Sequence, residues 1–270
     1  MISANVNFTS SLPQSANSGA VQPEIAGAST LKANNFLPAP IKSLALIGSR
    51  GLFGNKILTF CTPDCTYNSD NINDLSRANF DTVICAAPGA NRRTAQVDPE
   101  ADANSVDQII SALSSHRIKR LILIGTIDTI VHPESVYGRN RLRLENFVKQ
   151  EFVHHYVLRF GNIVDTTIKK NVLYDLKHNQ FLDSINLDSM TQWYPLDRLQ
   201  ADIEHALTYD KYEHTLVSDS IQVREIVEKF FPEKLSQVGT APGPIANYNL
   251  APSFSKQLVF GQMEEYVHRV

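Results

Sequence analysis

Ser43-Leu44-Ala45-Leu46-Ile47-Gly48-Ser49-Arg50-Gly51-Leu52-Phe53-Gly54 is the stretch whose reading decides the fold. Its first half is a short apolar run ending in glycine, the pattern of a strand buried on both faces. A helix is predicted from Gly51 to Phe60, so the glycines fall at a strand-to-helix junction. There Gly48 permits the tight turn, Gly51 lets a phosphate approach the backbone, and Gly54 lets the helix pack closely. The free N–H groups and partial positive charge of the helix start then favour a pyrophosphate. The spacing is GxxGxxG, and its context in the chain carries more weight than the glycines themselves.

Moving outward, the same alternation repeats. Thr82-Val83-Ile84-Cys85-Ala86-Ala87 reads as a second buried strand, and Asp98-Pro99-Glu100 as a helix start with a cap, a proline and an acid in the first turn. That helix carries Val106, Ile109, Ile110 and Leu113 at helical spacing and ends near Ser115. Arg120-Leu121-Ile122-Leu123-Ile124-Gly125 is a third strand, a helix follows from about Ser135 to Glu151, and Tyr156-Val157-Leu158-Arg159-Phe160 is a fourth. Apolar strands alternating with helices predict an α/β, doubly wound parallel sheet covered on both faces. Beyond Asn162 the pattern loosens. Helices are expected over Leu196 to Leu207 and Ile221 to Phe231, a loop through Pro232, Pro242, Pro244 and Pro252, and a closing element from about Ser255 to His268.

Composition narrows the function. The 270 residues are 43% hydrophobic and 20% charged, with 25 Lys plus Arg against 28 Asp plus Glu, a formal charge of −3. That balance removes the electrostatic argument for nucleic-acid binding, and the apolar fraction removes a polyanionic disordered chain. No stretch approaches the roughly 18 consecutive apolar residues of a membrane helix. Cys61, Cys65 and Cys85 are an odd count in a long chain, which fits a reducing compartment, the cytoplasm. Residues 1–40 are rich in Ser, Asn, Ala and Pro, with only Glu24 and Lys32 charged, and read as a flexible leader with Phe8, Phe36 and Leu37 as anchors. The expected organisation is the leader at 1–40, a dinucleotide-binding core at 41–165, and the rest of the sheet with a small substrate lobe at 166–270.

Tyr137 and Arg141 stand four apart on a predicted helix and so share a face, where the cation favours an acid–base role for the phenol. With the Gly48–Gly54 loop, Cys85-Ala86-Ala87, Asn104, Ile124-Gly125-Thr126, Tyr137-Gly138-Arg139-Asn140-Arg141-Leu142, Leu158-Arg159-Phe160-Gly161-Asn162-Ile163 and Trp193-Tyr194-Pro195-Leu196-Asp197, the chain resembles the extended or atypical branch of the short-chain dehydrogenase/reductase superfamily. That branch includes nucleotide-sugar epimerases, dehydratases and reductases, and the resemblance runs from about Lys42 to Phe231.

The resemblance implies a Rossmann-like fold, NADP or NAD as cofactor, and carbonyl reduction by hydride transfer on a small or nucleotide-linked substrate. Tyr137 would be the acid/base, Thr126 would orient the substrate oxygen, and Arg141 would bind ribose and tune Tyr137. The stretch Gly48, Ser49, Arg50, Gly51, Leu52, Phe53 and Gly54 would face the pyrophosphate, Ala86 and Ala87 the adenosine, and Phe160, Gly161 and Asn162 the nicotinamide. Asp197 would cap a helix, and a homodimer would form through the helix bearing Tyr137. The chain departs from the family in two places. Arg141 stands where a lysine is usual, and only eleven residues separate Thr126 from Tyr137, so the loop shaping the pocket is short. These departures keep a rival open, a non-catalytic dinucleotide-binding or assembly protein on the same fold.

For the cofactor, Asp64 and Asp70 lie at the distance from the loop where an acid meets a ribose diol, whereas Arg50 inside the loop favours a 2′-phosphate and hence NADP. No metal site is expected: Cys61 and Cys65 lack a second ligand pair, and strand alternation sends His154 and His155 to opposite faces. His116, beside Arg117, Lys119 and Arg120, reads as a solvated helix end.

Overall fold

The computed structural model describes residues 41–77, 79–114 and 118–269. The leader and His116 with Arg117 therefore lie outside the described residues.

The chain opens with β1 (Leu44–Ile47), α1 (Leu52–Phe60), β2 (Cys65–Tyr67) and β3 (Thr82–Cys85). After β3 come α2 (Arg92–Val97), α3 (Pro99–Ser114), β4 (Arg120–Thr126), α4 (Asp128–Val131), α5 (Val136–Glu151) and β5 (His154–Phe160). These strands, joined later by β9 (Tyr212–Leu216), form one six-stranded sheet of order β2-β1-β3-β4-β5-β9, parallel at every pairing. This is the doubly wound architecture that the alternation predicts.

Side-chain alternation divides the core between the two sheet faces. Leu44 and Leu46 of β1 meet Ile57 and Phe60 of α1, while Ala45 and Ile47 turn to the cluster holding Val106, Ile109 and Leu113 of α3 and Leu144 and Val148 of α5. The strand order reverses direction between β1 and β3, and a ligand crevice is expected outside their carboxyl ends. The loop beginning at Gly48 and the one beginning at Ala86 meet there.

The remaining chain builds a lobe. It holds β6 (Asn162–Val164), α6 (Val172–His178), β7 (Met190–Thr191), β8 (Trp193–Pro195), α7 (Leu199–Ala206), β10 (Ile221–Gln222), α8 (Val223–Phe230) and α9 (Lys256–His268). Of these, α7 packs on the main sheet beside α1, through Leu199 and Ile203. A third core centred on Trp193, Ile226, Val259 and Met263 holds the lobe itself together. No helix among the described residues is long and apolar enough to cross a membrane.

Several boundaries differ from the expectation. The predicted second strand stops at Cys85, leaving Ala86 and Ala87 in the loop. Residues 196–198 form a 3-10 turn before α7, and Ile221-Gln222 is a strand because a capping box between Gln222 and Glu225 starts α8 one residue later. Asp197 caps nothing. It pairs with Lys56 of α1 and accepts from Gln262 Nε2 of α9 at 2.8 Å, tying the lobe to the first helix.

Close packing at the junction of β1 and α1 explains Gly54. A Cβ built there lies 2.1 Å from the Gly48 carbonyl oxygen. Backbone cannot move aside as a side chain does, so the clash outweighs the helix-propensity gain of alanine, about 1 kcal/mol. Gly54→Ala is expected to lose about 1–3 kcal/mol net in urea denaturation, whereas a wild-type midpoint would show that this contact yields freely.

Candidate functional site

The crevice starts at the glycine loop. Gly48 has φ +86°, and a Cβ on it would lie 2.5 Å from the Ala86 carbonyl oxygen, so only glycine lets the two loops meet. Gly51 is the N-cap residue of α1 and offers no side-chain cap, and the first turn of α1 holds no acid. A Cβ on Gly51 would meet only the Gly48 oxygen, at 3.4 Å, so the space in front of the helix start is open. Open first-turn N–H groups and a bare glycine face are what a pyrophosphate requires, and the residues present fit a dinucleotide.

Beside this loop, Arg50 Nη1 donates to Asp70 Oδ2 at 2.5 Å, with both side chains mostly in solvent. The Arg50 guanidinium holds the Asp70 carboxyl below the usual carboxylate range. Asp70 follows β2 by three residues, and this strand is too short to be read from sequence. Asp64 is structural, because its Oδ2 accepts the Leu44 backbone N–H at 2.7 Å.

Thr126 ends β4, and its hydroxyl donates to Asp128 Oδ2 at 2.9 Å. A threonine hydroxyl has one proton to give, so it is committed to Asp128 rather than offered to a substrate oxygen. Asp128 itself is 2% exposed. It accepts from Arg92 Nε at 2.9 Å, and Arg92 Nη2 lies 2.8 Å from the same oxygen. Arg92 Nη1 in turn donates to the Tyr248 hydroxyl at 3.1 Å, and His132 Nε2 lies 3.2 Å from that hydroxyl. Tyr248 belongs to the proline-rich segment. It is anchored by its N–H on the Met190 carbonyl and by the Ser220 hydroxyl on its own carbonyl.

Tyr137 lies in the first turn of α5, whose N-cap Ser135 accepts the Gly138 N–H at 3.0 Å. Burial pushes its phenol above the ordinary value. Arg141 and Arg92 oppose that rise, and Asp128 adds to it. The group is a proton donor at neutral pH. Arg141 lies 4.2 Å from the Tyr137 ring, as four-residue spacing predicts. The guanidinium that lies over the ring is also held at its edge, however. Nη1 and Nη2 grip both oxygens of Asp102 on α3, at 3.0 and 2.9 Å, and Nη2 also donates to the Gly89 carbonyl at 2.8 Å. Buried between α3 and α5, it tunes Tyr137 but is not presented as a ribose ligand, which corrects the expectation for Arg141. Arg141 Nε is buried without a hydrogen-bond partner.

The other expected site residues divide. Ala86 and Ala87 line the crevice loop, half-buried. Phe160 is a core residue, 2% exposed, with its ring 4.8 Å from Phe53 and 4.5 Å from Tyr194. It packs in the core beneath the start of α1. Gly161 is demanded by packing, since a Cβ would lie 2.4 Å from the Gln192 carbonyl oxygen. Asn162 begins β6 and donates its N–H to that same carbonyl. Asn104 is exposed, and Asp102, two residues earlier, makes the contact with α5. Arg92, Asp128, Asp102 and Tyr248 escaped the sequence reading because none sits in a recognisable motif. The one available signal was Asp128, the single charged residue between Thr126 and Val131. Among the described residues no group of three or more His, Cys, Asp or Glu is arranged to hold a metal ion, and none of the three cysteines forms a disulfide.

Solved structures share this fold. The UDP-N-acetylglucosamine 4-epimerase of Methanobrevibacter ruminantium matches 84% of this chain and 97% of its own, at 13% identity and a TM-score of 0.64. The dTDP-glucose 4,6-dehydratase of Streptomyces venezuelae, with NAD bound, matches 82% and 91% at 10% identity, also with a TM-score of 0.64. The dTDP-4-dehydrorhamnose reductase of Bacillus anthracis, in complex with NADP, matches 84% and 97% at 14% identity and a TM-score of 0.59. No protein-family model matches the chain, and no curated protein does. The protein has the Rossmann-like fold of the nucleotide-sugar epimerases, dehydratases and reductases, the fold that the sequence resemblance implies.

The Arg141–Asp102 pair yields a direct prediction. With side chains 7% and 10% exposed, removing the carboxylate leaves a buried uncompensated cation. Asp102→Ala is expected to cost about 3–5 kcal/mol in denaturant titration. A loss below about 1 kcal/mol would show that water replaces Asp102 freely.

Proposed function

We propose that the protein is an NAD(P)-dependent oxidoreductase of the epimerase-like kind, reducing a carbonyl on a small or nucleotide-linked substrate. The observation carrying this reading is the pairing of an open glycine loop at the strand-order reversal with a buried, protonated Tyr137 braced by Arg141. Gly48 to Gly54 would hold the pyrophosphate, with Ala86 and Ala87 beside it. When bound, the nicotinamide supplies the hydride. Tyr137 donates the proton to the substrate oxygen, and the charge of Arg141 eases that donation. Thr126 acts through Asp128, which it holds in place, and not on the substrate oxygen itself.

The rival reading, a non-catalytic dinucleotide-binding protein, is favoured by one feature. The Thr126 hydroxyl and the Asp128 carboxylate are already engaged, the hydroxyl donating to Asp128 and Arg92 donating to Asp128 and to the Tyr248 hydroxyl.

Calorimetric titration with NADPH and NADH separates the readings from a protein that binds neither. Micromolar binding of either is expected, followed by turnover on a panel of carbonyl compounds that Tyr137→Phe abolishes while the cofactor affinity stays. Turnover surviving in Tyr137→Phe overturns the proton-donor role. Cofactor binding without any turnover supports the rival.

The Arg50–Asp70 pair governs the choice of cofactor. NADPH places its 2′-phosphate at the guanidinium and displaces the carboxylate, so Asp70→Asn is expected to shift preference toward NADPH by about tenfold, and Arg50→Ala toward NADH. Unchanged affinity ratios in both variants would remove the pair from the cofactor site.

A further inference from the structure

Phe181 is unlike the other large apolar residues of the lobe. It is 52% exposed, and its backbone sits at φ +50° and ψ +29°, in the left-handed region. For a residue with a Cβ that conformation is disfavoured roughly tenfold. Asparagine tolerates it better, as Asn179 does two residues earlier at φ +55°. Neither core burial nor local backbone preference accounts for a phenylalanine here. The turn instead fixes where the ring goes. The Gln180 N–H is held by the Asp175 carbonyl at 2.8 Å, and the Phe181 carbonyl accepts the Ser184 N–H at 3.1 Å and its hydroxyl at 2.9 Å. So held, the ring meets Arg93 of α2, whose guanidinium carbon lies 4.6 Å from the ring centroid.

Arg93 is presented just as firmly. Asn91 caps α2 by accepting the Thr94 N–H at 3.1 Å, and the neighbouring Arg92 is clamped by Asp128 beneath it and by Tyr248 of the lobe. Asp128 in turn lies against the start of the Tyr137 helix, where a Cβ on Gly138 would come within 2.8 Å of its carbonyl oxygen. The start of α2 thus stands over the cleft on the core side, while Phe181 follows α6 on the lobe side. Their contact bridges the two. Both backbones are fixed, yet the contact itself is weak: an exposed cation–π pair favours the closed arrangement by only about two- to fivefold. Backbone strain spent on aiming an exposed ring at so weak a partner points to a moving part and not to a brace.

We propose that Phe181 and Arg93 form a gate across the mouth of the cleft. With the ring on the guanidinium, as here, the gate is closed; a swing of the ring about χ1 into solvent opens it. This rests on the reading of the cleft as a ligand site and deepens it by naming what controls entry. The swing leaves the backbone undisturbed, because the ring is already half in solvent and exposed rings change rotamer readily. The Arg92–Asp128 pair, whose carboxylate is buried, keeps α2 in place in both states. An incoming ligand finds only the open fraction competent, so closure slows its association in proportion.

The test joins fluorine NMR to stopped-flow binding, both on the full chain. In protein labelled with fluorophenylalanine, the Phe181 signal is assigned by its loss in Phe181→Leu. It is expected to shift in Arg93→Ala and, in the wild type, to move toward that position on warming as the latch opens. NADPH should associate about three- to sixfold faster with Arg93→Ala and with Phe181→Asn, since about one third to one sixth of wild-type molecules are open. The urea midpoint of Phe181→Asn should not fall, because asparagine accepts the left-handed backbone. A Phe181 signal that Arg93→Ala leaves unmoved overturns the proposal. So do association rates unchanged in both variants, or a Phe181→Asn midpoint lowered as for a core residue. In a protein that takes no NADPH, a Phe181 signal that reports both states would sustain the gate and overturn the cofactor reading alone.

Discussion

A carboxylate buried to 2% exposure at the carboxyl end of the sheet organises this protein's cleft. Left alone, the Asp128 carboxylate would cost several kcal/mol to bury. It is instead held by Thr126 from its own strand end and by Arg92 from α2. Arg92 then draws in Tyr248 from a segment more than a hundred residues away, and Tyr248 brings His132. One charge thus joins β4, α2, the turn before α5 and the lobe. The same charge sets Tyr137's environment, because it adds to the burial that keeps the phenol protonated while Arg92 and Arg141 counter it. The short connection between Thr126 and Tyr137 makes this possible: only a tight α4 turn separates them, and Asp128 begins it.

The replacement of lysine by arginine at position 141 has a structural counterpart. A lysine is a single charge on a flexible stem, whereas arginine's planar fork asks for a bidentate acceptor. Asp102 supplies one from α3, and Asn140 adds a hydrogen bond to the same carboxylate at 2.8 Å. The cation therefore sits between two helices instead of leaning over the cleft. It still lies against the Tyr137 ring, so its electrostatic effect on the phenol persists while its role as a ligand does not.

What could be read from sequence follows the range of the interaction concerned. The sheet was legible because each central strand is a run of apolar residues, as in Leu44–Ile47 and Leu121–Leu123, whose alternation feeds both faces. The glycine loop was legible because Gly48 and Gly54 answer to backbone contacts within a few residues or with the neighbouring strand end. The pairing of Tyr137 with Arg141 followed from helical spacing. Phe160 was misplaced because a motif position says which strand end a residue occupies and not which way its ring turns; stacked against Phe53 and Tyr194, it faces the core. Asp197 was misplaced for a related reason. Its partners, Lys56 and Gln262, come from the two ends of the described chain, and a cap is only what its local sequence suggests.

The residues that escaped altogether share one property: each acts across a long stretch of chain on a charge that local pattern cannot see. Arg92 looks like an ordinary exposed helix start until Asp128 is placed beneath it, and Asp102 looks like a first-turn acid favoured by the helix dipole until Arg141 reaches it. Both pairs satisfy a buried ion whose partner is more than thirty residues distant. Such pairs contribute little net stability compared with apolar packing, so a fold alone does not require them. Their concentration around Tyr137, at the end of the sheet where the strand order reverses, is therefore better explained by what the cleft must hold than by what the core needs.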